Sequence, residues 1–203
     1  MHFIAIDTES WENGTKMPGE EPPRYPIRNH TGEIGRMMAW LKSDLESANN
    51  DRQSHPWIVI FGHKIRFTGG SEFMDALEQL SNLYDVDIFF GGHLHYYARY
   101  YPMCGMVADT ASSAAGSNGT IIVDPGWIIQ IVSAAVGSAE DLTQAIAHPN
   151  GTASYRIDYG IGVLEALNST HLHWTQSPLP GGKPGGKPRE VRLSGSSFSR
   201  RIP

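Results

Sequence analysis

The sequence is poor in cysteine. Cys104 is the one cysteine among 203 residues, so no disulfide can close within the chain and cysteine usage fixes no redox compartment. Long apolar runs are also missing. The longest, around WIIQIV at 127–132, falls well short of the roughly 18 residues that a membrane-spanning helix needs, which argues against a span. A leader is not visible either: MHFIAIDTES has no basic n-region and passes straight into an alternating apolar segment, so the start reads like the interior of a larger protein. Charge is sparse, 18% of residues, and unevenly placed. Residues 177–203 hold six basic residues and one acid, whereas residues 1–176 hold 10 and 20. A body that acidic speaks against nucleic acid held through its phosphates.

What is present suits one globular domain. Hydrophobic residues make up 40% of the chain, enough at this length for a real core. Asparagine is distributed unusually. Of eight asparagines, five open an N-x-S/T triplet: Asn13, Asn29, Asn118, Asn150 and Asn168. The Ser and Thr content predicts about one such triplet by chance, so the excess points to a glycosylated protein of the secretory pathway, secreted or in a lysosome-like compartment. The plainer reading is that Asn-Gly-Thr marks turns, which fits three of the five.

The apolar pattern predicts α/β structure. Residues 2–6 (HFIAI) read as a strand. Residues 33–48 read as a helix with Ile34, Met37, Met38, Leu41 and Leu45 on one face and Thr31 as its cap. WIVIF at 57–61 is a wholly apolar, hence buried, strand; 71–83 is a second helix with Phe73, Leu77 and Leu80 inward; VDIFF at 86–90 is another buried strand. This alternation is the rhythm of βαβ units. Residues 10–31 and the region from 107 read as loops, and 120–123, 127–133, 161–167 and 171–174 as strands. The boundary falls after 176, because 177–203, with GGKPGGKP inside it, reads as a disordered basic Gly/Pro/Ser-rich tail.

HLH occurs twice, as GGHLH at 91–95 and as THLHW at 170–174. His93 and His95 follow an apolar strand and two glycines. His63 follows WIVIF and one glycine. Ligands of open α/β sheets sit just beyond the carboxyl ends of strands, and imidazole binds zinc, iron and copper. Three imidazoles at the ends of two neighbouring strands therefore form a candidate metal site. The plainer alternative is a polar loop with two solvated histidines. His171 and His173 lie inside a strand-like segment with no glycine before them, and read as one face of a hairpin.

These segments resemble the purple acid phosphatases, a branch of the calcineurin-like metallophosphoesterases. HFIAIDTE, MMAWLKSDLESAN, WIVIFGHKIRF, VDIFFGGHLHYYARYYP and YGIGVLEALNSTHLHWTQ are similar to that family's motifs and come in its order over residues 1–176. The resemblance implies the C-terminal half of a catalytic domain: part of a four-layer α/β/β/α sandwich whose N-terminal half is absent. It implies His63 and His93 as ligands of a divalent metal and His95 as a ligand of a ferric ion. The centre would be binuclear, Fe with Zn, Mn or Fe, and would hydrolyse phosphate monoesters. The family's D-x-G, GDxxY and GNHE motifs do not occur in this sequence. This chain alone is therefore expected to hold at most one divalent ion and to need the missing half, or another chain, as partner. RNHTGE at 28–33 holds Asn29, His30 and Glu33 at a place where the family has no ligand. GHRPMY reads GHKIRF and YER reads Tyr97-Ala98-Arg99. The competing readings are a non-catalytic paralogue serving as a secreted binding module, and a structural, glycan-bearing domain.

Overall fold

The fold is known from a computed structural model, which describes residues 1–8, 31–65, 72–105, 107–133, 142, 151–179 and 189–194. Strand β1 (His2–Ala5) is followed by helix α1 (Thr31–Asn50), β2 (Ile58–Phe61), α2 (Glu72–Leu83) and β3 (Ile88–Gly91). Next come β4 (Tyr97–Tyr100), β5 (Met103–Cys104), β6 (Val107–Ala108), β7 (Ile121–Val123) and β8 (Ile129–Ser133). The last four are β9 (Thr152–Arg156), β10 (Gly160–Ala166), β11 (His171–Pro178) and β12 (Arg189–Ser194). One sheet has six strands in the order β1-β2-β3-β8-β4-β9; a second has four, β10-β11-β12-β7. The first four strands of the larger sheet run parallel; α1 and α2 provide the first two crossovers, and the chain from β4 to β7 provides the third.

Alternation of side chains across the larger sheet sorts its core into two layers. Ile58, Ile60 and Phe89 face the helices and pack with Leu41, Leu45, Phe73 and Leu77. Val59, Ile88 and Phe90 face the other way and pack with Leu172 and Trp174 of the smaller sheet. The apolar stripe expected on α1 is the one used. Leu41 and Leu45 are fully buried, while Ile34, Met37 and Met38 are half-buried at its near end. The described residues thus form three layers, helices on sheet on sheet, in keeping with a metallophosphoesterase sandwich.

Both helix ends and two strand starts meet at one ion pair. Arg52, just past α1, donates from Nη1 to Asp87 Oδ2 at 2.8 Å and to Pro56 O at 2.9 Å, and from Nη2 to Asp85 O at 2.6 Å and Tyr84 O at 3.2 Å. Asp87 Oδ2 also accepts the Ile58 amide at 2.8 Å. Carbonyls just past α2, orphaned by the helix ending there, thereby gain donors.

The expectation of a disordered tail over 177–203 is corrected. Strand β11 runs through Pro178, and β12 lies between β11 and β7, antiparallel to one and parallel to the other. The reason is local. REVRLS alternates, and its Val191 and Leu193 stand in register opposite Trp174 and Leu172. Composition averaged over 27 residues hid a six-residue strand of period two. Residues 180–188 and 195–203 lie outside the described residues, as do 10–30. The region from 107, read as loop, contributes β6, which pairs with β5.

Two outcomes follow for stability. Arg52→Ala leaves the 3%-exposed Asp87 carboxylate without its cation, and chemical denaturation should show a loss of about 3 kcal/mol. Deleting 189–203 removes the only strand joining β11 to β7 among the described residues. Thermal unfolding should therefore show a clearly lowered midpoint, whereas a tail that packs on nothing could be removed without effect.

Candidate metal centre

Parallel pairing brings the two glycine-histidine loops to one edge. The register Val59↔Ile88, Ile60↔Phe89, Phe61↔Phe90 ends β2 and β3 nearly level. The ladder continues past the strands: Gly62 N–H donates to Phe90 O at 3.0 Å, and Gly92 N–H to His63 O at 2.7 Å. Side chains then interlock. A Cβ on Gly91 would stand 2.2 Å from Ile65 Cγ2, and one on Gly62 would stand 2.7 Å from Thr8 Cγ2. Only glycine permits this approach.

Two histidines come together at this edge. His63 Nε2 lies 3.2 Å from His93 Nδ1, with the rings 5.2 Å apart and nearly perpendicular. His93 has φ +64°, a left-handed backbone that costs a β-carbon-bearing residue roughly 1–2 kcal/mol. Strain of this kind concentrates at functional sites. Without a metal, one ring donates a hydrogen bond to the other. The same separation also suits a shared ion, since two nitrogens on a tetrahedral zinc at ~2.05 Å stand about 3.3 Å apart. The pair therefore fits one divalent ion.

The third histidine does not complete a group. Among the described residues no three of His, Cys, Asp and Glu stand close enough to hold one ion. The expectation that His95 would converge with His63 and His93 rested on their shared place just beyond two neighbouring strand ends. The segment is coiled, with Leu94 N–H donating to Gly92 O at 2.7 Å and Tyr96 N–H to Leu94 O at 2.9 Å. In such a turn, residues two apart no longer share a face through alternation. His95 is half-buried on that loop. A second ion has no ligand set among the described residues.

The other histidine pair sits as a hairpin face. Leu172, Trp174 and Gln176 are the buried positions of β11, and His171 and His173 lie on the opposite side. His173 Nδ1 is 3.2 Å from Glu165 Oε2 across the hairpin, and His171 Nδ1 is 2.9 Å from Thr170 Oγ1. Asn118 and Asn168 are exposed, while Asn13, Asn29 and Asn150 lie outside the described residues.

Beside His63 opens a cleft of about 730 Å³, lined by Phe3, Phe61, Phe90 and Trp174 among others. The three phenylalanines form a row across β1, β2 and β3, and Trp174 of the smaller sheet continues it, with successive ring centres 5.9, 5.5 and 4.7 Å apart. Phe3 is 55% exposed and Phe61 40%, an apolar surface of a kind that soluble chains normally cover.

No family model matches the chain. It is 27% identical over 161 residues to acid phosphatase type 7 of Mus musculus, covering 70% of this chain and 36% of that protein. It is 30% identical over 199 residues to purple acid phosphatase 18 of Arabidopsis thaliana, covering 85% of this chain and 42% of that protein. In structure it is similar to the purple acid phosphatase PPD1 of yellow lupin seeds, with a TM-score of 0.66 at 20% identity over 96% of this chain and 31% of the other. The chain is a relative of the purple acid phosphatases. It spans between a third and a half of the length of these curated relatives, and its motifs correspond to the C-terminal half of their catalytic domain.

One departure from the purple acid phosphatase pattern has a local explanation. Ala98 replaces the Glu of YER within β4, whose four residues are all buried. It packs with Ile65, Tyr96, Tyr100 and Val132, where a carboxylate would be costly. Burial pushes the Tyr100 and Tyr96 phenols above their usual range. Arg99 points to the other side of β4, between the sheets, and burial lowers its guanidinium below the usual value while the Tyr97 phenol opposes this. Sequence reasoning missed Thr8. It is fully buried three residues beyond the end of β1, where its Oγ1 accepts the Lys64 amide at 2.6 Å. No local sequence signal marks it.

Cobalt titration of the 203-residue chain separates the two HLH copies. His63→Ala and His93→Ala should each abolish the visible absorption of a His-bound Co²⁺. The double variant His171→Ala, His173→Ala should leave it unchanged.

Proposed function

We propose that this chain carries one side of a metal-dependent phosphatase site that hydrolyses phosphate monoesters. The observation behind this reading is the His63–His93 pair, 3.2 Å apart at the ends of adjacent parallel strands. His63 and His93 would hold the divalent ion. His95, two residues along the same loop, would serve the ferric ion once the rest of its ligand set is supplied. The names of the relatives support the substrate class. When bound, the ion supplies Lewis acidity towards a phosphoryl oxygen. The chain's own contribution is positional: two strands fixed in register, two loops interlocked through Gly62 and Gly91, and an imidazole pair held at a separation suited to one ion.

A second reading, a non-catalytic paralogue acting as a secreted binding or structural module, is favoured by one observation. Only two of the three histidines come together among the described residues. The sequons at Asn118 and Asn168, both exposed, suit either reading and support a secretory or lysosome-like location.

The two readings are distinguished by metal analysis and p-nitrophenyl phosphate hydrolysis. The isolated chain should bind no more than one divalent ion, show no purple colour and turn over little or no substrate. Mixing with a segment bearing D-x-G, GDxxY and GNHE motifs should raise turnover in the native chain but not in His93→Ala. No gain on mixing, despite a stable complex, would favour the non-catalytic module.

A further inference from the structure

We infer that Thr8 is a positioning residue: its hydroxyl, rather than its bulk, holds His63 against His93. The inference rests on the proposed site for its purpose, though not for its geometry. The loop after β2 must turn immediately, because His63 lies two residues beyond Phe61. On one side that turn is tied to the β3 loop, through Gly62 N–H to Phe90 O and Gly92 N–H to His63 O. On the other side it is tied to the segment after β1, where Ile6 N–H donates to Phe61 O at 2.9 Å and Lys64 N–H to Thr8 Oγ1 at 2.6 Å.

The second of these ties is the unusual one. By residue 8 the parallel ladder between β1 and β2 has ended, its last register pair being Ala5↔Phe61. The Lys64 amide is therefore beyond the reach of a strand carbonyl and is taken up by a side chain. Thr8 has no exposed surface and Lys64 is 6% exposed, so water is not at hand to replace the acceptor. A buried amide without a partner carries a desolvation penalty. The turn would relieve that penalty by moving, and His63 is the residue adjacent to the moving bond. The methyl of Thr8 is engaged separately, standing close over Gly62. Shape and hydrogen bonding can thus be removed one at a time. Thr8→Val keeps the methyl and discards the acceptor; Thr8→Ser discards the methyl and keeps the acceptor.

The test reads geometry by NMR and metal affinity by Co²⁺ titration, on the 203-residue chain and the two variants. In the native chain the Lys64 amide should exchange as slowly as amides of β2, and the His63 and His93 rings should show a mutual NOE. Thr8→Val should speed Lys64 exchange by about ten-fold and lose the ring–ring NOE. It should also weaken Co²⁺ binding by about 10- to 100-fold, the usual effect of removing a group that orients a ligand. Thr8→Ser should retain all three properties even where its melting temperature falls. Retention of the ring NOE in Thr8→Val would overturn the inference, and so would rapid Lys64 exchange in the native chain, which needs no variant to fold. If the native chain shows the ring NOE and binds no Co²⁺, the proposed metal site fails while the NOE comparison still decides the role of Thr8.

Discussion

The architecture depends on the carboxylate of Asp87. One oxygen of this side chain accepts the amide that opens β2 and the guanidinium that closes α1, and the residue itself directly precedes β3. It therefore sets the height of β2 against β3 at their starts. Each strand is only four residues long, so a register fixed at one end persists to the other. His63 and His93 meet because of that. A slip of one residue in so short a parallel pair would shift the loops by about 3.3 Å, as much as the distance between the facing nitrogens of the two imidazoles. The apolar side chains supply the driving force for collapse, but they are interchangeable in a way this carboxylate is not.

The same economy governs the strand ends. Three consecutive parallel strands, β1, β2 and β3, all finish at one edge, and each contributes one element of the candidate site: a hydroxyl, an imidazole and a second imidazole. No segment provides the site alone. The glycines between strand and histidine act by omission, since any β-carbon at Gly62 or Gly91 would collide with a neighbouring loop. The left-handed backbone at His93 is the price of turning at once after β3. The smaller sheet bears on this edge indirectly, through Trp174 packed at a tilt against Phe90, and presents its own histidines on its other face.

Much of this was legible in the sequence where periodicity was strong. WIVIF and VDIFF marked strands that are buried except at Phe61, the stripe from Ile34 to Leu45 marked a helix, and glycine before histidine marked the strand ends. Features resting on single long-range bonds were not legible. Nothing in local pattern tells that Arg52, 35 residues before Asp87, will find it, or that Thr8 will meet the amide of Lys64 across 56 residues. Strands β4 and β9 were hidden by mixed polarity, and β4 carries a buried arginine where a strand interior is expected to be apolar. The strand at 189–194 was hidden by its surroundings, since glycine, proline and serine on both sides outweighed a brief alternation. His95 shares the strand-end position of the other two histidines, but that position does not reveal the turns of its loop, and the three form no single group among the described residues.

The central position of β12 has a consequence for how the chain is made. β7 is complete at residue 123, yet its ladder partner ends at residue 194. At ribosomal rates of roughly 5–20 residues per second, β7 waits about 4 to 14 seconds with one edge unpaired. During that interval it is held by a single bridge, Ser113↔Ile122, among the described residues. The neighbouring β10–β11 hairpin can form earlier, since its strands are adjacent in sequence, but it too lacks its inner neighbour until the last strand arrives. The smaller sheet is thus closed by insertion rather than by extension. Its vulnerability to chaperone capture or misassociation during synthesis is governed by the time taken to translate everything between β7 and the end of β12.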